Sequence, residues 1–550
     1  MKNRYLKKSV TLTIVATSVF VTACNSGVGN IANQSQNPNF QSQNKMAQYE
    51  SYSTLAAISE PYKRNVLFKS ISNASSHSCA IGVDGQGYCW GVNYDGEVGI
   101  GERGNLVAIP TAVIMPEGAS SFTSISNTYL RNCAIGDNGK AYCWGAGYGG
   151  ETGTGQVGFF TKPTAVVMPS KVASFTSISV GRFNTCALDN KGKAYCWGGN
   201  VRGELGNGTN LPSNVPEPVL IRGGISLTSI SNSFFDVCAL DDEGNAYCWG
   251  AGETGLIGNG ENTDANIPKA VVMPPGVKFT SIAMNFSHNC AIGNNGKVYC
   301  WGAGAAGQIG NGENTGVNIP TAVIMPEGVT NFTFLLNNDS NGNTCAIGND
   351  GNVYCWGNQY GNIPRLLPKP SGMNKFVVLS GGTGFKCALD NDGKAACWGY
   401  GSNGALGNGK NADSAIPTPV VMPAGVTFTS ISFSNDITHG ICAIGSNSRG
   451  YCWGSNGWGV IGDGDTINVN VPTEFYSHLR VSQPMGGYLT SCRNDKNIPA
   501  WEDGILTQRC FKQSEDPYYK LVSLDYSRQC QQDSTVSITA RGELICDHSR

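Results

Sequence analysis

The chain has 550 residues, of which 73 are glycine and only 14% are charged. This length allows a large buried core or several domains. The formal net charge of −2 shows no basic excess, so a nucleic-acid-binding surface is not expected.

The chain begins with a basic segment and a short apolar stretch. The stretch from Ser9 to Ala23 is too short to predict a membrane-spanning helix. It ends Val-Thr-Ala-Cys24, which resembles a bacterial lipobox. The resemblance implies that residues 1–23 are a lipoprotein signal peptide, that Cys24 is lipid-modified and that the protein is anchored in the cell envelope. Asn25 favours the outer membrane by resemblance to enteric sorting rules; the alternative is an ordinary signal peptide with a coincidental cysteine.

Residues 24–60 are rich in Asn, Gln and Ser and have little apolar periodicity. This composition predicts a flexible tether with a reach of roughly 35 Å. Such a tether would hold a globular part away from the membrane surface.

A Cys-x9-Cys-Trp-Gly motif then recurs eight times. Each copy has an apolar run, a turn cluster such as Asp-Asn-Gly and an aromatic-rich run, which predicts a β-hairpin. The glycine shared by the first seven turns fits a type I turn with a G1 bulge, and Ser448 in the eighth copy predicts a looser turn. A central turn sets the two cysteines opposite each other, within reach of a disulfide. The predicted pairs are Cys79–Cys89, Cys133–Cys143, Cys186–Cys196, Cys238–Cys248, Cys290–Cys300, Cys345–Cys355, Cys387–Cys397 and Cys442–Cys452.

Metal ligation and free thiols are the alternatives to these disulfides. The spacing is unusual for zinc, and the five histidines do not supply two further ligands per copy, so no metal is expected. Of the 21 cysteines, Cys24 is assigned to lipid and sixteen to the hairpins, which leaves Cys492, Cys510, Cys530 and Cys546. An even number downstream of the anchor predicts an oxidising compartment outside the cytoplasm.

Two further strands flank each hairpin. Upstream lies an alternating segment such as Phe122-Thr-Ser-Ile-Ser, and downstream a Gly-rich loop leads to a Pro-containing segment such as Ile319-Pro-Thr-Ala-Val. Alternation predicts strands, and proline is tolerated on an outer edge. Four strands in each repeat of about 50 residues predict an all-β fold, a β-propeller of four-stranded blades over residues 61–475.

The shared string Cys-Ala-Ile/Leu-x-x-x-Gly-x-x-Tyr-Cys-Trp-Gly, followed by Gly-x-x-Gly-Asn-Gly, resembles the regulator of chromosome condensation repeat. The paired cysteines resemble a bacterial extracytoplasmic form, and His77 and His288 occupy a position that is often histidine in that family. The resemblance implies a propeller, commonly of seven blades. Eight copies are present and the spacing between the sixth and seventh is short, so seven or eight blades are both open.

Residues 476–550 resemble a degenerate repeat, or a segment that closes the ring. Val536 takes the place of a first cysteine and Cys546 that of a second. Cys492–Cys510 and Cys530–Cys546 are the favoured pairings among three connectivities.

The motifs do not favour catalysis or a cofactor. Asp390-Asn-Asp-Gly and Asp463-Gly-Asp suggest calcium at first sight, but turns that bond their own backbone explain both better, because neither has the downstream Glu of an EF-hand. The repeated tryptophans fit core packing between blades, with sugar stacking as the alternative. An enzyme is therefore not predicted.

Binding is instead expected from the loops that precede each first cysteine, because these differ between copies. The candidate rim residues are Arg131, Phe234, Phe235, Asp236, Phe385 and Asp436. The expected partner is a protein or surface ligand. The alternatives are an inhibitor that caps an envelope enzyme and, by resemblance, a nucleotide-exchange regulator of a small GTPase.

Overall fold

The computed structural model describes residues 66–337, 339–433 and 440–476, together with two short hairpins further along the chain. The predicted signal peptide, the predicted tether, Cys24 and most of residues 476–550 lie outside the described residues, so the interpretations placed there stay predictions.

Residues 66–476 form a β-propeller of eight blades, each a four-stranded antiparallel sheet. The four strands of every blade are consecutive in sequence and neighbours in the sheet. This confirms the all-β propeller and decides between seven and eight blades. We number the blades 1 to 8 along the chain and name the strands inner, second, third and outer.

The inner strands surround the axis, and those of most adjacent blades are in contact, including blades 1 and 8. They are the alternating Phe-Thr-Ser-Ile-Ser segments, in which the first aromatic or aliphatic residue is buried. Their bounds are Phe68–Asn73, Phe122–Thr128, Phe175–Val180, Leu227–Asn232, Phe279–Met284, Phe332–Leu336, Phe376–Gly382 and Phe428–Phe433.

The second and third strands form the predicted hairpin in the middle of each blade. The second strands are His77–Gly82, Arg131–Gly136, Asn184–Asp189, Asp236–Asp241, His288–Gly293, Asn343–Gly348, Phe385–Asp390 and Ile441–Gly445. The third strands are Gly87–Asn93, Ala141–Gly147, Ala194–Gly198, Ala246–Gly250, Val298–Gly302, Val353–Gly357, Ala395–Gly399 and Gly450–Gly454.

All eight predicted disulfides are formed within their own hairpins, and each joins residues directly opposite in register. Their sulfur atoms lie in the interior, where the cysteines are at most 1% exposed. The eighth turn, which was expected to be looser, has the same closing hydrogen bond, from Ser448 N to Gly445 O at 2.8 Å. Ser448 adopts a φ of 60°, the left-handed region that glycine occupies in the other seven turns, so that expectation was wrong.

The outer strands pair only with the third strand of their own blade, as proline on an edge requires. Their bounds are Asn105–Ala112, Gly158–Ala165, Ser213–Pro218, Ala265–Ala270, Val317–Ala322, Gly361–Leu367, Ser414–Pro419 and Val469–Glu474. Blade 6 keeps its outer strand although its preceding loop is short. Two 3₁₀ turns, Glu253–Gly255 and Ser402–Gly404, lie in the loops before the outer strands of blades 4 and 7.

The tryptophan of each hairpin links its blade to the preceding one. Seven of the eight indoles donate a hydrogen bond to a carbonyl in the Gly-rich loop of the previous blade, for example Trp301 Nε1 to Leu256 O at 2.9 Å. Trp398 faces the shortened loop of blade 6 and makes no such bond among the described residues. All eight are fully buried, which confirms core packing and removes them from contact with sugars.

The ring closes where blade 8 packs on blade 1. Trp90 Nε1 donates to Val460 O at 2.7 Å, and Phe68 N donates to Ser448 O at 2.7 Å. Closure therefore needs no strand from residues 476–550, whose described parts are the hairpins Ile498–Glu502 with Ile505–Arg509 and Thr535–Ile538 with Leu544–Asp547. The degenerate repeat proposed there stays a prediction.

Candidate functional site

The loops divide between two faces of the propeller. Because the four strands of a blade alternate in direction, the inner-to-second and third-to-outer loops share one face, while the hairpin turns lie on the other. We call the first the variable face, because its inner-to-second loops differ most between repeats. Asp436 belongs to the blade 8 loop at 434–439 and lies outside the described residues.

The exposed aromatic side chains of the described residues all lie on the variable face. Tyr129, Phe183 and Phe286 come from inner-to-second loops. The others lie in third-to-outer loops or at the start of an outer strand: Tyr94, Tyr148, Phe159, Tyr400 and Trp458.

Four phenylalanines from blades 3, 4 and 5 form a continuous group, which we call the aromatic cluster: Phe183, Phe234, Phe235 and Phe286. The rings of Phe183 and Phe235 stack with centroids 5.3 Å apart. The rings of Phe234 and Phe286 meet edge to face at 5.4 Å. Phe183 and Phe286 are 37% and 51% exposed, so the cluster presents apolar surface to solvent across two blade junctions.

Arg182 covers part of this cluster. Its guanidinium carbon lies 5.1 Å from the ring centroid of Phe234 and 5.5 Å from that of Phe183, within cation–π range. Arg182 is itself exposed. The site therefore combines aromatic surface with one positive charge.

Arg131 lies beneath this loop and supports it. Its Nη2 donates to Gly181 O at 3.1 Å and also to Arg182 O, while Nη1 pairs with Glu151 at 3.5 Å. Burial lowers the pKa of Arg131 to about 10, and the Glu151 carboxylate opposes that shift, so the side chain stays charged at neutral pH. Arg131 is only 4% exposed, and it therefore positions the blade 3 loop rather than reaching a partner.

Two other predicted rim residues are also buried. Asp236 accepts hydrogen bonds from Ser233 and from Asn289 Nδ2, the latter at 2.9 Å, and burial raises its pKa to about 6. Phe385 packs against Phe433 with ring centroids 5.3 Å apart. Of the described candidates, Phe234 and Phe235 alone present surface, because they lie in the loop whereas the other three begin a strand that faces inward.

Sequence reasoning missed the partners of these strand-start residues. At three blade junctions the residue two before the first cysteine bonds the residue one before the first cysteine of the next blade. Two of these pairs are His77 Nε2 with Asn132 Oδ1 and His288 Nε2 with Thr344 Oγ1, both at 2.7 Å. Asp236 and Asn289 form the third pair, at 2.9 Å. Such pairs could be found from the sequence by comparing the residue two before one first cysteine with the residue one before the first cysteine of the next repeat.

A second arginine–aromatic group lies further out on the same face. Arg103 lies over the ring of Phe159 at 4.2 Å, and Tyr148 meets Phe159 edge to face at 4.9 Å. This group joins the outer loops of blades 1 and 2. It resembles the aromatic cluster in composition, which makes it a useful comparison.

The titratable groups near the site are mostly buried and hydrogen-bonded within the protein. No group of three or more His, Cys, Asp or Glu side chains there could hold a metal ion. Burial lowers the pKa of His77 to about 4 and that of His288 to about 3, so both are neutral and inaccessible. Asp390 Oδ1 accepts from the backbone of Asp392 and Lys394, which is the turn arrangement predicted instead of calcium.

The family profile of the RCC1-like domain matches residues 9–336, more than half of the chain. The chain belongs to the RCC1-like family. The profile of the single regulator of chromosome condensation repeat also matches residues 392–441.

The similar proteins include a plant receptor, a mitochondrial RCC1 domain-containing protein and a ubiquitin ligase. The RCC1-like chain is 27% identical over 360 residues to the ultraviolet-B receptor UVR8 of Arabidopsis thaliana, covering 63% of the chain and 80% of the receptor. It is 29% identical over 239 residues to the mitochondrial RCC1 domain-containing protein RUG3 of the same plant, covering 42% of the chain and 53% of RUG3. Human E3 ubiquitin-protein ligase HERC2 is 26% identical over 299 residues, which is 52% of the chain but 6% of the ligase.

Among solved structures, human WBSCR16 superposes with a TM-score of 0.52 at 19% identity, covering 63% of this chain and 97% of that one. This likeness shows the propeller fold alone. The relatives support an RCC1-like interaction module without assigning it a partner.

Proposed function

We propose that this protein is a non-catalytic, lipid-anchored propeller of the cell envelope that binds a protein partner through its variable face. The observation that carries the proposal is the distribution of exposed aromatic residues, all of which lie on that face in the described part of the chain. Aromatic and arginine side chains are enriched at the centres of protein interfaces. Isolated exposed phenylalanines need no explanation, but a continuous group on a rigid scaffold does.

The envelope location is supported by the disulfides and by the N-terminal sequence. Disulfides form and persist in oxidising compartments, and eight of them are buried in the blades. Cys24 at the end of the lipobox-like segment would carry the lipid, and residues 25–60 would form the tether. Among the described residues no helix is long and apolar enough to span a membrane.

Photo-crosslinking from each face tests the proposed binding. A crosslinking amino acid at Tyr148, which is 58% exposed on the variable face, should capture a defined protein in intact cells. The same amino acid at Val83, which is 60% exposed on the opposite face, is the matched control. Equal capture from both positions, or none from the variable face, would contradict the proposal.

Replacement of the anchor cysteine tests the location separately. Cys24→Ala removes the sulfur to which lipid is attached, and the protein should move from the membrane fraction to the soluble envelope fraction. Unchanged fractionation would reject the anchor while leaving the binding face open.

A further inference from the structure

The aromatic cluster and Arg182 present apolar rings beside one positive charge, and this chemistry favours some classes of partner over others. In the inner-to-second loops of the described residues, Arg182 is the one exposed charged side chain. The nearby acidic groups are buried and already engaged, Asp236 with Asn289 and Glu151 with Arg131. The ion pairs of the described residues do not include Arg182, so its charge remains available for a ligand.

Resting on the proposed function, we infer that this cluster docks a protein segment in which an Asp or Glu side chain is flanked by aliphatic residues. The carboxylate would pair with the Arg182 guanidinium, whose N–H groups suit bidentate recognition while its face lies on the rings. The aliphatic neighbours would cover Phe183, Phe234 and Phe286. The docked segment would thus make its ion pair and its apolar contacts on the same small surface.

The structure favours a protein segment over other ligands. Phenylalanine rings have no polar group with which to bond sugar hydroxyls. One arginine is a weak site for an anionic membrane surface or a nucleic acid, both of which need clustered positive charge. A second copy meeting through this cluster would bring like-charged Arg182 side chains together.

The site is also held in place before binding. Arg131 donates to the carbonyl groups of Gly181 and Arg182 from below, and the rings of adjacent blades brace each other. A loop that is already ordered loses less conformational entropy when it binds. This favours docking of a short segment onto a rigid surface.

Selection of phage-displayed random dodecapeptides on the full-length protein tests the inference. The enriched peptides should contain Asp or Glu next to Leu, Ile or Val. Synthetic copies should bind Arg182→Glu and Phe234→Ala proteins about tenfold or more weakly than the unmodified protein. Phe159→Ala, which removes the ring of the other arginine–aromatic group, should change their affinity less than about twofold.

A charge exchange separates recognition from a folding defect. Peptides with Lys in place of the selected acidic residue should bind Arg182→Glu better than they bind the unmodified protein. Thermal melting and disulfide mapping of each variant should match the unmodified protein, and because Arg182 is exposed its replacement remains informative if Phe234→Ala proves unstable.

Several results would overturn the inference. These are failure to enrich any peptide, enrichment without acidic residues, or equal loss of binding in Phe159→Ala. A dimer in sedimentation that Arg182→Glu dissociates would make a second copy the occupant. If the cellular partner captured through Tyr148 is captured equally by Arg182→Glu, the inference fails while the proposed function stands; if no partner is captured, the proposed function itself fails.

Discussion

Glu97 is a fully buried carboxyl group at the junction of blades 1 and 2. One carboxylate oxygen accepts from Asp95 N at 2.8 Å, and the other has no hydrogen-bond partner among the described residues. Burial disfavours the charged form and raises the pKa to about 7, with the nearby Asp95 charge adding to the shift. The folded protein thus holds a proton that the unfolded chain has released over pH 4.5 to 7.

Replacement of Glu97 by glutamine should remove one pH-dependent contribution to stability. Because the folded-state pKa lies above the unfolded value, the contribution of Glu97 to the free energy of unfolding is present below about pH 4.5. It is lost as pH rises through 7. The Glu97→Gln variant should gain stability relative to the unmodified protein between pH 5 and pH 8, by up to about 3 kcal/mol. Guanidinium unfolding midpoints at pH 5 and pH 8 measure the change. Replacement of the exposed Glu117 by glutamine is the control. Parallel pH profiles for Glu97→Gln and the unmodified protein would contradict the prediction.

Lys386 and Asp339 form an ion pair in the interior where blades 6 and 7 meet. The Lys386 Nζ lies 2.6 Å from Asp339 Oδ2, and both side chains are at most 1% exposed. Asn343 Nδ2 also donates to Asp339 at 2.9 Å. This polar group lies beside the junction where the shortened loop of blade 6 leaves Trp398 without its carbonyl bond.

Lys386→Met should destabilise the protein by about 3–5 kcal/mol, because it leaves the Asp339 charge buried with no cation. The double variant Asp339→Asn with Lys386→Met removes both charges and should recover most of the loss. Thermal unfolding of the three proteins measures this. A double variant no more stable than the single one would show that packing, not charge, dominates at this junction.

At the scale of the blade, the sequence was sufficient to predict the hairpins, their disulfides, the flanking strands and their order. These features depend on local periodicity, turn glycines and cysteine spacing, all of which repeat eight times. It was insufficient for the rim: Phe234 and Phe235 present surface, whereas Asp236, the next residue, is buried. The sequence varies between copies at the loop residues and at the first residue of the strand alike, so variation does not tell them apart. They differ in the structure because the side chain that begins the strand points into the interior.

The Gly-rich loop illustrates how one element joins two blades. Gly258 adopts a φ of 73°, and a Cβ there would lie 2.9 Å from Trp301 Nε1. That nitrogen donates to Leu256 O in the same loop. The glycine is thus required both for the left-handed backbone and for close approach of the indole.

Gly258→Ala should therefore cost more than the backbone strain alone. Gly276 has nearly the same φ, 71°, but a Cβ there would meet nothing within 4 Å. Gly276→Ala should cost about 1–2 kcal/mol, and Gly258→Ala at least about 1 kcal/mol more because the indole must move. Denaturant unfolding with tryptophan fluorescence compares the two, and equal losses would assign the whole effect to backbone conformation.

For the whole ring, closure rests on side-chain packing and a few hydrogen bonds between blades 8 and 1, because no strand of the described residues is exchanged between them. Phe475 follows the last outer strand and lies 5.2 Å from the ring of Phe68 and 4.9 Å from that of Trp90. Most other blades have valine at this place, and Gly450 opens space for the larger ring, since a Cβ at 450 would lie 1.9 Å from Phe475 Cζ. Phe475 thus fills the junction between the two ends of the propeller.

Phe475→Ala should weaken the ring at that junction. Loss of a buried phenylalanine costs about 3–5 kcal/mol, and here it removes contacts that join the first and last blades. Hydrogen–deuterium exchange should therefore increase in the inner strands of blades 1 and 8, Phe68–Asn73 and Phe428–Phe433, ahead of the other blades. Val323→Ala, at the same place in blade 5, should instead raise exchange around blades 5 and 6. Uniform exchange across all blades in Phe475→Ala would mean that the propeller opens as one cooperative unit, with no preferred point of opening at its closure.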